Sequence, residues 1–248
     1  MVIPIKSKED LKMLKKSGKI LAEIMQRLKE FIKVGVLTKE IDQLAEELIR
    51  KGDAISAFKG YRGFPANICT SINEEVVHGI PNERRLEEAD IISLDLGINY
   101  KGYFSDAAIT LGVGRIDSRT EKLVDITRNA LSQGIEQARV NNYLSDISYA
   151  IQIYVEKHGF SVVRQFVGHG IGRSLHEIPE IPNFGRPHQG EILKSGMVFA
   201  IEPMVNMGTW ECEILDNGWT VVTKDGLVSA HFEHTVAITD DGPEILTN

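Results

Sequence analysis

An α/β (α+β) fold in one domain spanning 1–248 is what this sequence predicts, and three observations carry the prediction. Apolar residues return at helical spacing in four stretches, two in each half of the chain. Each pair of helical stretches is followed by short segments rich in β-branched and aromatic residues. No linker or low-complexity run separates the halves.

Taken in order, Ser7-Lys-Glu-Asp10 opens the first helix, with Leu11, Leu14, Ile20, Leu21, Ile24, Met25 and Leu28 on its inward side. Thr38 is read as the cap of a second helix that ends near Lys51-Gly52 and turns Ile41, Leu44 and Leu48 inward. Strands are expected near 67–73, 91–98 and 103–113. Two further helices are placed near 118–139 and 145–158, the latter stopped by Gly159. Strands near 161–167, 197–203, 219–224 and 230–238 complete the second half.

Composition narrows the class. With 42% hydrophobic and 25% charged residues, the chain is an ordinary globular sequence. The 35 acidic residues outnumber 28 basic ones, and a net charge of −7 argues against a general nucleic-acid binder. Cys69 and Cys212 are the two cysteines, which suits a reducing compartment and no disulfide framework. No signal peptide and no apolar run of bilayer length is found, so a cytoplasmic protein is expected. The lysines Lys12, Lys15, Lys16 and Lys19 read as a solvated helix face.

Four carboxylates and a histidine stand apart: Asp95, Asp106, His169, Glu202 and Glu233. Each lies in a segment expected to be strand or tight loop, mostly among apolar or small neighbours. Acidic side chains are seldom buried without compensation, and several facing one interior repel and take up protons. A pair of divalent cations removes that cost. Asn99-Tyr-Lys-Gly102 reads as a four-residue hairpin loop, which sets Asp95 opposite Asp106. Cross-strand neighbours lie roughly 4.5–5.5 Å apart at their β-carbons, where like charges need a bridge. By alternation Asp95 shares its face with Ser93 and Gly97, while Leu94, Leu96 and Ile98 face the other way. For either aspartate alone a solvated sheet face is the simpler reading; for both with Glu202 and Glu233 it is not. One imidazole with four carboxylates and no thiolate suits Mn(II), Fe(II) or Co(II), with catalytic Zn(II) also compatible. Two such ions share a water and polarise a carbonyl, which points to hydrolysis.

Beyond these residues, seven short segments resemble a known family in its order: Val77-His-Gly-Ile-Pro81, Asp95 with Asp106, Gly168-His-Gly-Ile-Gly172, Leu175-His-Glu177, Ile201-Glu-Pro-Met204, Asp216-Asn-Gly-Trp-Thr220 and Phe232-Glu-His-Thr235. Together they are similar to the type I methionine aminopeptidases of peptidase family M24, over nearly the whole chain. The resemblance implies the pita-bread (creatinase/aminopeptidase-like) fold, a pseudo-twofold antiparallel sheet flanked by two pairs of helices with metals between the halves. Neither the helical insertion of type II members nor an N-terminal zinc-binding extension is expected.

The same resemblance assigns roles. His169 and Glu202 would hold one metal and Asp95 the other, with Asp106 and Glu233 bridging. The glycines around His169 are not a dinucleotide fingerprint, and Pro179 and Pro182 spoil a following helix. Pro203 favours extended backbone at Glu202. His176 would stabilise the tetrahedral oxyanion and His78 would contact the leaving nitrogen. Glu202 would also move the proton as hydroxide between the two metals attacks the first peptide bond. Phe58, Tyr61, Phe64, Cys69, Leu175 and Trp219 would line the methionine pocket; several bacterial relatives carry cysteine, tyrosine and phenylalanine at the positions of Phe58, Phe64 and Leu175. His231 shares the Glu233 face and is read as a partner behind the ligands, where many relatives have glutamine. His158 suits a helix end, His188 the surface and His234 packing.

The implied activity is removal of initiator methionine from nascent chains with a small second residue. A monomer acting on nascent polypeptide N-termini is expected, compatible with ribosome association. It would bind no membrane and have no nucleic-acid specificity. A prolidase, aminopeptidase P or creatinase relative shares the fold but usually adds an N-terminal domain. A catalytically dead binding module typically loses ligands.

Overall fold

The computed structural model describes residues 2–248. Helix α1 (Lys8–Phe31) starts where Ser7 and Asp10 exchange hydrogen bonds: Ser7 Oγ accepts from the Asp10 amide, and the Asp10 carboxylate accepts from the Ser7 amide, each at 3.1 Å. Lys12, Lys15, Lys16 and Lys19 are exposed on it. Helix α2 (Thr38–Lys51) begins differently from expectation. Thr38 is its first residue and Leu37 its cap, because the Glu40 carboxylate already accepts the Leu37 amide at 2.8 Å. The Thr38 hydroxyl instead accepts from the Asn82 amide at 2.8 Å and donates to its carbonyl at 3.0 Å. Helices α3 (Ser118–Gln137) and α4 (Leu144–Lys157) follow, with Asp117 capping α3. No described helix is long and apolar enough to cross a membrane.

A nine-stranded antiparallel sheet joins the halves. Along its path run Ile55–Ser56, Ile91–Tyr100, Tyr103–Gly112, Glu233–Thr239, Val198–Ile201, Gly168–Gly170 and Glu177–Ile181. Cys69–Ile72 pairs beside Ile91–Tyr100, and Gly242–Ile245 beside Glu233–Thr239. The halves meet where Glu233 and His234 pair with Ala108 and Ala107. Each half has its own apolar core behind the sheet. Leu21, Ile24 and Leu28 of α1 and Ile41 and Ile49 of α2 pack on Ile92, Leu94, Leu96 and Ile98. Leu123 and Leu131 of α3 and Ile147 and Ile151 of α4 pack with Phe199, Ile201 and Val236.

The central hairpin is tighter than expected. Its loop is Lys101-Gly102, both left-handed at φ 53° and 84°, the backbone that a two-residue turn requires. The register therefore moves by two residues: Asp95 faces Ala108 and Asp106 faces Gly97. A shift of two preserves the face, so both aspartates still point the same way. That face is not solvated; Ser93, Asp95, Asp106 and Thr110 are all buried.

Three other expected strands break. Of 161–167 only Ser161–Val162 is strand, and Gly168–Gly170 forms a separate one. The 197–203 strand stops at Ile201, and Met204–Asn206 forms a separate one beyond Pro203, which has no amide to give a ladder. The 230–238 segment divides at Phe232, since Ser229–His231 pairs with Met204–Asn206 while Glu233–Thr239 pairs with Val198–Ile201.

Candidate metal centre

All the candidate ligands, both remaining histidines and all six pocket residues face one cavity of about 260 Å³. The hairpin delivers Asp95 and Asp106. The Thr235 hydroxyl fixes the backbone at Asp106, accepting its amide at 2.9 Å and donating to its carbonyl at 2.8 Å. Glu233 stands on the neighbouring strand and Glu202 just past the end of Val198–Ile201, where Asn183 donates to its carbonyl at 3.1 Å. The ligand atoms of Asp106, His169 and Glu233 lie within 4.8 Å of one another.

The glycines beside His169 have a packing reason. A β-carbon at Gly168 would sit 2.5 Å from the Ala200 oxygen, and one at Gly170 would sit 2.1 Å from the Ile178 oxygen. Only glycine lets this strand fit between its two neighbours and bring the imidazole to the carboxylates. His169 Nδ1 lies 2.9 Å from the Gly170 carbonyl, which fixes the tautomer and leaves Nε2 free for a metal. Nε2 is 3.6 Å from Glu202 Oε1.

Burial governs the electrostatics. It pushes Asp106 up to about 7 and holds Asp95, Glu202 and Glu233 well above the carboxylate range, with their mutual repulsion adding to the shift. Asp95 Oδ1 and Glu233 Oε1 have no hydrogen-bond partner. Burial, followed by the charge of a neighbouring histidine, lowers His169 to about 3 and His78 to about 4. His176 is lowered by burial and by the Arg62 charge. Carboxyls that resist charging beside imidazoles that resist protonation are a poor resting arrangement and a good donor set for hard or borderline cations. Orphaned carboxylate oxygens are the atoms such cations would engage.

At the mouth, His176 stacks on Tyr61 with centroids 5.2 Å apart and approaches His169 at 4.1 Å. Its loop is held by Glu177, whose carboxylate accepts the Arg173 and Ser174 amides at 2.7 and 3.2 Å and pairs with Lys6. His78 meets Phe166 and Trp219 edge-on at 5.7 and 6.3 Å. Phe64 packs edge-on against Trp219 at 5.1 Å and Phe58 at 6.5 Å. Cys69 is the cross-strand partner of Asp95; burial and the nearby carboxylates push its thiol well up, leaving it a neutral wall.

Sequence reasoning missed Arg62, Gln165, Phe166 and Met204 in the lining. Their signal was faint: Phe166 and Gln165 precede His169 in a stretch read as regular strand, and Met204 follows Glu202 by two. Of the other histidines, His158 bonds the Tyr154 carbonyl at 2.7 Å, His188 is exposed, and His234 meets Thr247 at 2.9 Å away from the cavity.

The family model "Metallopeptidase family M24" matches residues 12–240. The chain belongs to metallopeptidase family M24. A methionine aminopeptidase of Clostridium perfringens is 54% identical over 246 residues, 99% of either chain. Methionine aminopeptidase 1 of Bacillus subtilis is 50% identical over 246 residues, again 99% of each. The crystal structure of the Thermotoga maritima methionine aminopeptidase superposes with a TM-score of 0.98 at 44% identity, covering both chains fully. The Pyrococcus furiosus prolidase reaches 0.79 at 25% identity, covering 98% of this chain and 65% of that one. The M24 architecture is therefore the pita-bread fold, mixed α/β with a curled antiparallel sheet and four helices. Membership in a metallopeptidase family implies divalent metal use.

Proposed function

We propose that this chain is a type I methionine aminopeptidase that removes the N-terminal methionine from nascent proteins and peptides with a small second residue. The carrying observation is the convergence of four buried, charge-averse carboxyls and a neutral imidazole on one end of an aromatic-walled cavity. Full-length identity with relatives bearing that activity's name supports it.

In this reading Asp95, Asp106, His169, Glu202 and Glu233 would hold the divalent metal; Mn(II), Fe(II), Co(II) and Zn(II) all suit the donors. Bound there, divalent metal would supply Lewis-acid polarisation of the scissile carbonyl and a water made nucleophilic at neutral pH. The Glu202 carboxylate takes the proton from the attacking water and delivers it to the amine that leaves. Neutral His176, stacked on Tyr61, donates its N–H to the developing oxyanion. His78, set against Phe166 and Trp219, meets the amide nitrogen beyond the cut. Phe58, Tyr61, Phe64, Cys69, Leu175 and Trp219 form the wall for an unbranched thioether. The whole of 1–248 acts as one catalytic domain and as a monomer in the cytoplasm.

Peptide specificity tests the reading. Met-Ala-Ser should release methionine with added metal, Leu-Ala-Ser should be cleaved poorly, and an Xaa-Pro dipeptide not at all. Preference for the Xaa-Pro substrate would reassign the chain to the prolidase branch of the fold.

A further inference from the structure

His231 is fully buried, and neither ring nitrogen has a hydrogen-bond partner. Its backbone, by contrast, is held tightly. Thr110 Oγ1 accepts the His231 amide and donates to its carbonyl, each at 2.8 Å, and Ser93 meets Thr110 at 2.8 Å. Strand pairing sets His231 opposite Met204, two residues beyond Glu202. The side chain thus projects from a fixed point, and its Nε2 lies 3.6 Å from Glu202 Oε2. The other oxygen of the same carboxyl, Oε1, lies 3.6 Å from His169 Nε2. Glu202 is bracketed by two imidazoles, one on each oxygen. Both gaps lie just outside hydrogen-bond reach.

We propose that His231 is the positioning residue of Glu202: its Nε2–H donates to Oε2 and so fixes the orientation in which Oε1 and His169 present themselves to a metal ion. Burying an unpartnered imidazole is costly, and a hydrogen bond from Nε2 to the Glu202 carboxyl removes that cost. Partners of this kind behind a ligand typically carry 10–100-fold of metal affinity. The inference rests on the metal-binding reading above.

Anaerobic Co(II) titration of chelated protein tests it, read by calorimetry and by the visible absorption of bound Co(II), for wild type, His231→Gln and His231→Leu. His231→Leu should raise the dissociation constant roughly 10- to 100-fold and alter the Co(II) spectrum. His231→Gln, whose amide keeps a donor, should restore most of the affinity. Chelated His231→Leu should melt no lower than wild type, since it loses two unpartnered buried nitrogens. Equal affinity and spectra in wild type and His231→Leu would overturn the inference while leaving the metal reading intact. Equal losses in Gln and Leu would also overturn it, assigning the effect to packing. Absence of Co(II) binding to wild type would instead sink the metal reading itself.

Discussion

The hairpin Ile91–Gly112 is buried on both faces, and the two faces have opposite chemistry. Behind it, Ile92, Leu94, Leu96 and Ile98 meet α1 and α2, each buried side chain contributing roughly 1.5–3 kcal/mol. In front, Ser93, Asp95 and Gly97 share a surface with Asp106, Ala108 and Thr110. There burial raises both Asp95 and Asp106, and the charge of Asp106 raises Asp95 further. The back face stabilises the fold unaided; the front face costs stability until positive charge arrives. One strand therefore serves folding on one side and chemistry on the other, and substitutions on the two sides should separate stability from activity.

The largest separation is expected at Glu202→Gln. Burial and the neighbouring aspartates raise the Glu202 carboxyl well above its usual range, so an amide replaces a group whose charge the site disfavours and the chelated melting temperature should hold. Turnover of Met-Ala-Ser should fall about 10²–10⁴-fold, the range for a lost general base. On the back face Leu94→Ala should do the reverse, losing about 2–5 kcal/mol in urea unfolding with kcat per folded molecule unchanged.

A pH series sharpens the comparison. Asp95, Glu202 and Glu233 have folded pKa values raised well above their unfolded ones, so their contribution favours folding at low pH and is lost as pH rises toward the folded pKa. His169 and His231, lowered to about 3, penalise the fold only below the unfolded value near 6.5, and above it they are neutral in both states. Above the histidine range, from about pH 7, the carboxyls therefore dominate. The chelated protein should lose about 1.4 kcal/mol per pH unit for each carboxyl still protonated. Calorimetric melting across that window checks the slope, and added metal should flatten it. The smallest effect is expected at Gly97→Ala, where a β-carbon would lie 2.6 Å from Phe58 Cε1. Displaced Phe58 should raise KM for methionyl peptides roughly tenfold with little change in kcat.

Helices and apolar cores were legible because capping and periodicity are local: Ser7 with Asp10, and the Leu14–Leu28 stripe, need no distant partner. Strand limits were less so. Whether 230–238 is one strand or two depends on which strands lie beside it, and that is a property of the assembled sheet. Asp95 and Asp106 stood out because an acid in a β-rich run is itself anomalous, although the turn that sets their register was misjudged by two residues. His231 is expected to share the Glu233 face by alternation, but the strand breaks at Phe232, and its Nε2 lies 3.6 Å from Glu202 Oε2. Phe166 and Arg62 carried no pattern because loop residues reach a cavity without periodicity.

The most direct test of the front-face account is proton release on metal binding, measured by titrating chelated protein with Mn(II) at pH 7 in buffers of different ionisation enthalpy. Net release of protons as metal binds is predicted, because the carboxyls exchange protons for cations. Metal binding with no proton release would mean that the carboxylates are already ionised, and would contradict the account.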